Sequence, residues 1–407
     1  MQGSSRLLFA SLCILLFGVP FGVALQTLCS TLAMILVILA WRKHWREFPH
    51  SLEAAERWSW VTVLAIVLLC MGATLGNAKN PEHEVWSYLI GFFPFFTLPL
   101  AFSQGHLGTV STWRRLEAVL AIGVVVWGLV AWSQLHWGWK LEGSELIWGD
   151  RFRRSQAFYS HPLTLAYAAL LLWPLSFAYA LREPRNLRAL AIAAGIGFLL
   201  YGSGSRTAQG VSAFIAGVLV LQQLRGRARW GMIGLGCVLV LGLLSTKNMV
   251  SDRFLHAQDP GVQDKETPYA DDRIAFWLAH IEAIKERPLA GHGVHLGREY
   301  RLPYYAAIGL PEIKKAYEAH NQLLQLAFEG GVLAAGLFLV WLWLLHRSWS
   351  GLDLWGRRVR DAVLWAFLLG GLTQNAYFDS EVRYTFGVLM ALAFVASRAK
   401  STASLRS

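Results

Sequence analysis

Twelve stretches of this chain are apolar and nearly free of charge, near residues 7–24, 25–41, 58–77, 84–103, 115–136, 162–181, 187–202, 207–223, 230–246, 319–345, 361–378 and 384–397. Each approaches the length at which a helix crosses a bilayer core, so the pattern predicts an all-α integral membrane protein with about twelve spans. No small-residue cleavage site follows the first run and a second begins almost at once, so the first is expected to be retained rather than removed as a signal peptide. The polar segments between the runs alternate in character. Arg42, Lys43, Arg46 and Arg57, then Arg114 and Arg115, then Arg182, Arg185 and Arg188, then Arg225, Arg227 and Arg229, and finally Arg347, Arg357, Arg358 and Arg360 fall in every second segment. Basic loops stay on the cytoplasmic side, which puts both termini there and the sparsely charged loops outside.

This topology divides the chain into residues 1–246, with spans one to nine and an outer loop near 137–161; residues 247–318, a large outer loop; and residues 319–407, with spans ten to twelve and a cytoplasmic tail. A loop of that length between spans is usually functional. It has helical pattern of its own. Ile274, Trp277, Leu278, Ile281 and Ile284 recur at helical spacing between Asp271 and Glu286, acidic residues open the stretch, basic residues close it, and Pro288 stops it. The residues from Arg298 to Tyr317 are mixed, with four tyrosines and a break near Gly309 to Pro311. The loop is expected to form a small helical lid lying on the membrane surface.

Composition narrows the function classes. Hydrophobic residues at 55% and charged residues at 15% exclude a soluble enzyme and a disordered chain. The net charge of +11 is accounted for by the cytoplasmic loops, so no nucleic-acid partner is inferred. Cys13, Cys29, Cys70 and Cys237 all fall in apolar runs, which argues against a disulfide framework or a thiolate metal site.

Against this background the outer arginines are misplaced. Arg206 stands in the turn Ser203-Gly204-Ser205-Arg206-Thr207 between two spans; Arg151, Arg153 and Arg154 precede Ser160-His161-Pro162; Arg273 opens the loop helix. Singly, each reads as a snorkelling side chain or a solvated helix charge. Together they can converge from three outer segments on one multiply charged anion, since a guanidinium fork matches phosphate oxygens and the turn's glycine and serines let backbone N–H groups approach the same ligand. His320, followed by Asn321, sits where the long loop enters the tenth span. A histidine at such a boundary is either satisfied by water and backbone or, held neutral by a helix N-terminus and nearby arginines, serves as a general base; Glu318 pulls the other way. His292 and His295, in Gly291-His292-Gly293-Val294-His295, have a spacing that suggests a metal, but no carboxylate completes a ligand set and no metal or other cofactor is expected. Glu329 lies within the tenth span and reads equally as a functional intramembrane carboxylate or a hydrogen bond between packed helices.

The arginine turn at 203–206, the segment from Arg273 through Pro288-Leu289-Ala290-Gly291-His292-Gly293, and the His320-Asn321 pair resemble, in order and approximate spacing from about residue 150 to 345, the O-antigen ligase and polymerase superfamily of bacterial surface-polysaccharide assembly. The resemblance implies a metal-independent glycosyltransferase of the GT-C type in the inner membrane of a Gram-negative cell, with a periplasmic active site. Its donor would be an O-antigen glycan on undecaprenyl pyrophosphate and its acceptor the lipid A-core. It also implies that Arg206 and Arg273 bind the pyrophosphate and that His320 activates the acceptor hydroxyl; from their place in the outer segments, Arg151, Arg153, Arg154, His161 and Asn321 are expected as further substrate-binding residues. A chain-elongating polymerase and a protein O-oligosaccharyltransferase share these motifs. A transporter or flippase for an anionic lipid is the reading from another class, and the chain lacks the internal two-fold similarity typical of one.

Overall fold

A computed structural model of the protein describes residues 2–41, 53–77, 110–139, 154–245, 272–294, 298–311, 313, 317–376 and 379–404. Among these, thirteen helices and no strands occur. They are α1 (Gln2–Gly18), α2 (Val23–Trp41), α3 (Ala54–Asn77), α4 (Val110–Trp137), α5 (Pro162–Arg182), α6 (Leu187–Ser203), α7 (Arg206–Gln223), α8 (Gly226–Ser245), α9 (Asp272–Glu286), α10 (Arg298–Ala307), α11 (Gln322–Arg347), α12 (Leu354–Gly371) and α13 (Ser380–Ser404). Eleven of the twelve apolar runs coincide with helices. The run at 84–103, together with Arg151, Arg153 and His295, lies outside the described residues.

Four helices, at Ala54–Gly76, Arg114–Trp137, Pro162–Arg182 and Gln322–Arg347, are long and apolar enough to cross a membrane, and shorter apolar helices cover Arg6–Gly18, Val23–Leu39 and Leu187–Ser203. Their outward faces are what a membrane solvent requires. Leu28, Leu32, Ile35 and Leu39 on α2, Val61, Leu64, Leu68 and Leu75 on α3, and Ile122, Val125, Leu129 and Trp132 on α4 are all exposed at helical spacing. Apolar stripes repeated on several helices far exceed the isolated exposed leucine of a water-soluble protein and face lipid. The chain reads as a multi-pass membrane protein whose described residues are helical, without strands.

Helix α5 is the axis of the bundle. The run from Leu165 to Leu172 is buried on every side, as befits a helix apolar all round, and it packs against α6, α7, α12 and α13. Because consecutive helices alternate in direction, the arginines at 182, 185, 188, 225, 227, 347, 357 and 358 gather at one end. There Arg182 reaches Asp353 at 3.8 Å and the Trp355 ring at 5.0 Å. The first residues of α5, α7, α11 and α13 meet at the other end.

Helix α11 is broken. Gly331 has φ 79° and ψ 171°, far from helical values, and the segment after α9 threads into the gap. In an unbroken helix the Phe328 carbonyl would take the Val332 N–H. Here the His292 N–H donates to Phe328 O (2.7 Å), the Gly293 N–H to Glu329 O (2.9 Å), and the Val332 N–H to Pro288 O (2.8 Å). Backbone groups at membrane depth have no water to turn to, so the inserted segment supplies the partners that the break removes. The fit demands glycine. A Cβ on Gly291 would lie 2.5 Å from Glu329 O, and one on Gly331 would collide with the Leu289 carbonyl. On its far side the segment rests on α3, with the Val294 N–H donating to Thr74 Oγ1 at 2.9 Å.

Candidate functional site

The loop ahead of α5 is fixed by one side chain of α4. Gln134 Oε1 accepts from Ser155 Oγ (2.9 Å), Gln156 N (3.1 Å) and Ala157 N (2.8 Å), while its Nε2 donates to Ala157 O (2.9 Å). This clamp holds Ala157 at φ 48°, a conformation that a residue with a side chain seldom adopts. The Ser155 N–H donates to Gly202 O and Arg154 Nε to Ser203 O, both at 2.8 Å. Arg154 is therefore buried against the very turn that carries Arg206. In that turn Gly204 is left-handed at φ 64° and Ser205 caps α7, making Arg206 the first helical residue. Four N–H groups at such an end have no intrahelical acceptor, which favours an anion there.

His161 caps α5, its Nδ1 accepting from the Leu163 N–H at 3.0 Å. In the neutral ring the hydrogen then sits on Nε2. Burial, the Arg154 guanidinium and His320 together pull its pKa down to about 4, so it is neutral at any ordinary pH. Two turns along α5, the Tyr167 hydroxyl meets Thr373 Oγ1 at 2.8 Å and is also in reach of Ser205, Thr207 and Arg273. This tyrosine joins the end of α12 to the arginine turn and lies within range of the Arg273 charge.

On α9, Phe276 stacks on Tyr317 at 5.0 Å and tilts against the His320 ring at 5.8 Å. His320 itself has φ 47°, one of three non-glycine residues with positive φ among those described. Such a backbone costs about 1–3 kcal/mol and persists only where its surroundings over-determine it. Gln374 Oε1 lies 3.0 Å from His320 Nδ1. Asn321 serves as the N-cap of α11, its Oδ1 accepting from Leu323 N and Leu324 N.

The structure thus brings Arg154, His161, Arg206, Arg273, His320 and Asn321 to one end of the bundle. His292 and Glu329 lie elsewhere, between α9 and α11. His292 is held at both nitrogens, by Tyr300 Oη at 2.8 Å and Ala283 O at 2.7 Å, and stacks on Phe328. Glu329 accepts from Gln325 within its own helix. His280, on the buried face of α9, donates from Nδ1 to Phe276 O, and burial with Arg301 nearby drives its pKa down to about 3.

Several residues at the site escaped the sequence reading. The expected span 361–378 ends early: α12 stops at Gly371, and Thr373, Gln374 and Asn375 turn across the site. Asp379 and Glu381, ahead of and within the first turn of α13, form an acidic pair against the start of α5. Thr164 Oγ1 donates to Asp379 Oδ2 at 2.7 Å and Ser160 Oγ to Glu381 Oε1 at 3.4 Å. Burial and the Glu381 charge push the Asp379 carboxyl above the usual carboxylate range. The sequence signal for the pair was two acids, five and three residues before a run of span-like residues.

No curated protein matches the chain. Residues 189–339 match the family model described as O-antigen ligase. That segment begins in α6 and ends in α11, so the part of the chain similar to the O-antigen ligase family contains the arginine turn, Arg273, the inserted 288–294 segment and His320.

Proposed function

We propose that the protein is an O-antigen ligase, a GT-C type glycosyltransferase of about twelve spans in the inner membrane of a Gram-negative cell. It transfers a preassembled O-antigen from undecaprenyl pyrophosphate to the lipid A-core on the periplasmic side. The basic end of the bundle faces the cytoplasm by the positive-inside rule, with both termini, and the site faces the periplasm.

Arg206, Arg273 and Arg154 hold the donor pyrophosphate together with the N-terminal amides of α7. The acceptor hydroxyl attacks the anomeric carbon from the face opposite the pyrophosphate and inverts it. As the new C–O bond forms, the hydroxyl proton passes to His320; as the old C–O bond breaks, its electron pair goes to the phosphate oxygen, where the guanidinium groups stabilise the developing charge. A sugar hydroxyl is a weak acid, so a base acting during attack contributes about two to four orders of magnitude.

The observation that supports this reading is that the arginine turn and His320 lie at one end of α5, with Tyr167 beside the turn and within range of the Arg273 charge, and Gln374 in contact with His320. Purified protein given lipid-linked O-antigen and lipid A-core in detergent, with chelator present, is expected to form the product. His320→Ala, Arg206→Ala and Arg273→Ala are each expected to abolish or severely reduce it. Full activity in His320→Ala removes the base assignment. A deletion strain distinguishes the sibling activity: core without O-chain supports the ligase, and core bearing one repeat unit supports a polymerase.

A further inference from the structure

The turn leaving α12 makes a side-chain bond at each of three successive residues. Thr373 Oγ1 meets the Tyr167 hydroxyl at 2.8 Å, Gln374 Oε1 meets His320 Nδ1 at 3.0 Å, and Asn375 Nδ2 donates to Glu318 Oε2 at 2.6 Å. These three partners are the tyrosine beside the arginine turn, the histidine read as base, and the carboxylate two residues before it. An amide oxygen can only accept, so the hydrogen of a neutral His320 ring sits on Nδ1 and the lone pair on Nε2. His161 shows the reverse arrangement. Its Nδ1 accepts from a backbone N–H, which puts its hydrogen on Nε2.

We propose that Gln374 is a positioning residue for the transfer reaction, fixing the His320 tautomer so that Nε2 accepts the acceptor's proton, and that the 373–375 turn holds this base in register with the arginine clamp. The inference rests on the reading of His320 as base. Asn375 adds a second effect: it engages Glu318, the nearest carboxylate on the same segment. The neutral amide at 374 holds the ring without stabilising its protonated form, as a carboxylate at that place would.

The test compares Gln374→Leu and Gln374→Glu in the full-length protein in detergent, reading kcat, KM for the lipid-linked donor and the pH profile of kcat. The titratable groups that interact with His320 are His161 ahead of α5 and His280 on α9, with Glu318 two residues away on its own segment. All are common to both variants and the wild type, so a difference in profile reports on position 374. Gln374→Leu is expected to lower kcat at least tenfold with donor KM within about twofold of wild type. Gln374→Glu is expected to retain more activity than Gln374→Leu and to move the acid limb of the profile upward by about one pH unit or more, because its carboxylate favours the imidazolium.

Wild-type kcat in Gln374→Leu, or an unmoved acid limb in Gln374→Glu, overturns the proposal. If Gln374→Leu is not recovered as a monodisperse species, the limb of Gln374→Glu decides alone. Failure of the underlying reading looks different: His320→Ala would then be active. An inactive His320→Ala beside wild-type profiles in both position-374 variants removes the positioning role only.

Discussion

Two histidines, His292 and His320, meet α9 about two turns apart, at Ala283 and Phe276, and their surroundings differ. The Gly291-His292-Gly293 segment has the look of chemistry, yet its histidine is bonded at both nitrogens to protein atoms and its amides fill a helix break. The Thr373-Gln374-Asn375 turn has the look of a helix tail, yet each of its side chains reaches a residue of the site. The difference teaches that a polar residue's role follows from which of its atoms the fold has already engaged. Glycine-rich flanks point here to close backbone approach, and amides at a span end to orientation of a reacting group.

The sharpest way to break this contrast is to set His320→Ala beside His292→Ala in the detergent transfer assay. His320→Ala is expected to lose at least about a hundredfold in kcat, close to 3 kcal/mol of transition-state stabilisation. His292→Ala is expected to retain its turnover per folded molecule but to melt lower, by about 1–3 kcal/mol for each buried partner left unpaired. Equal losses of turnover in the two would erase the distinction. Gly331→Ala sharpens the other half, since φ 79° and the Leu289 carbonyl both oppose a Cβ. A cost of about 1–3 kcal/mol or more should appear as a reduced melting temperature or lost yield. Gln134→Leu removes four hydrogen bonds from the segment bearing Arg154. A rise in donor KM of several-fold, with a smaller change in kcat, is the expected sign that this clamp positions a binding arginine.

The smallest effect concerns pH. His161 has a folded pKa of about 4 against 6.5 unfolded, so the unfolded chain binds the proton first as pH falls. Its contribution is fully present above about pH 6.5, declines between 6.5 and 4, and is flat below. His161→Asn keeps an N-cap while removing the titration, and should flatten the fall of melting temperature across that window. An identical slope in both proteins would assign the acid sensitivity to other groups, His280 first.

Much of the fold was legible. The apolar runs locate eleven helices, and the periodicity from Asp271 to Glu286 locates α9, because burial in lipid or against a neighbour imposes a local pattern. Arginines scarce at one end and abundant at the other were equally visible. What the sequence hid is non-local. In the sequence Tyr167 is one more aromatic in a span, and its place at the site appears only when α7 and α12 pack against α5. The end of α12 was obscured because Leu372 and Ala376 extend the apolar run past the last helical turn, and the Asp379–Glu381 pair because its partners, Ser160 and Thr164, lie more than two hundred residues away. The break in α11 is the instructive miss. Gly330-Gly331 was in plain sight, but the segment that fills the break comes from the loop before it.

That stitch means the protein cannot be dissected at its apparent seams. Strands of mainchain that belong, by order along the polypeptide, to the extramembrane part complete the interior of a bilayer-embedded helix. Excising the loop to obtain a minimal membrane scaffold would leave two carbonyls orphaned in hydrocarbon, and expressing the loop by itself would deprive it of the surface it is woven into.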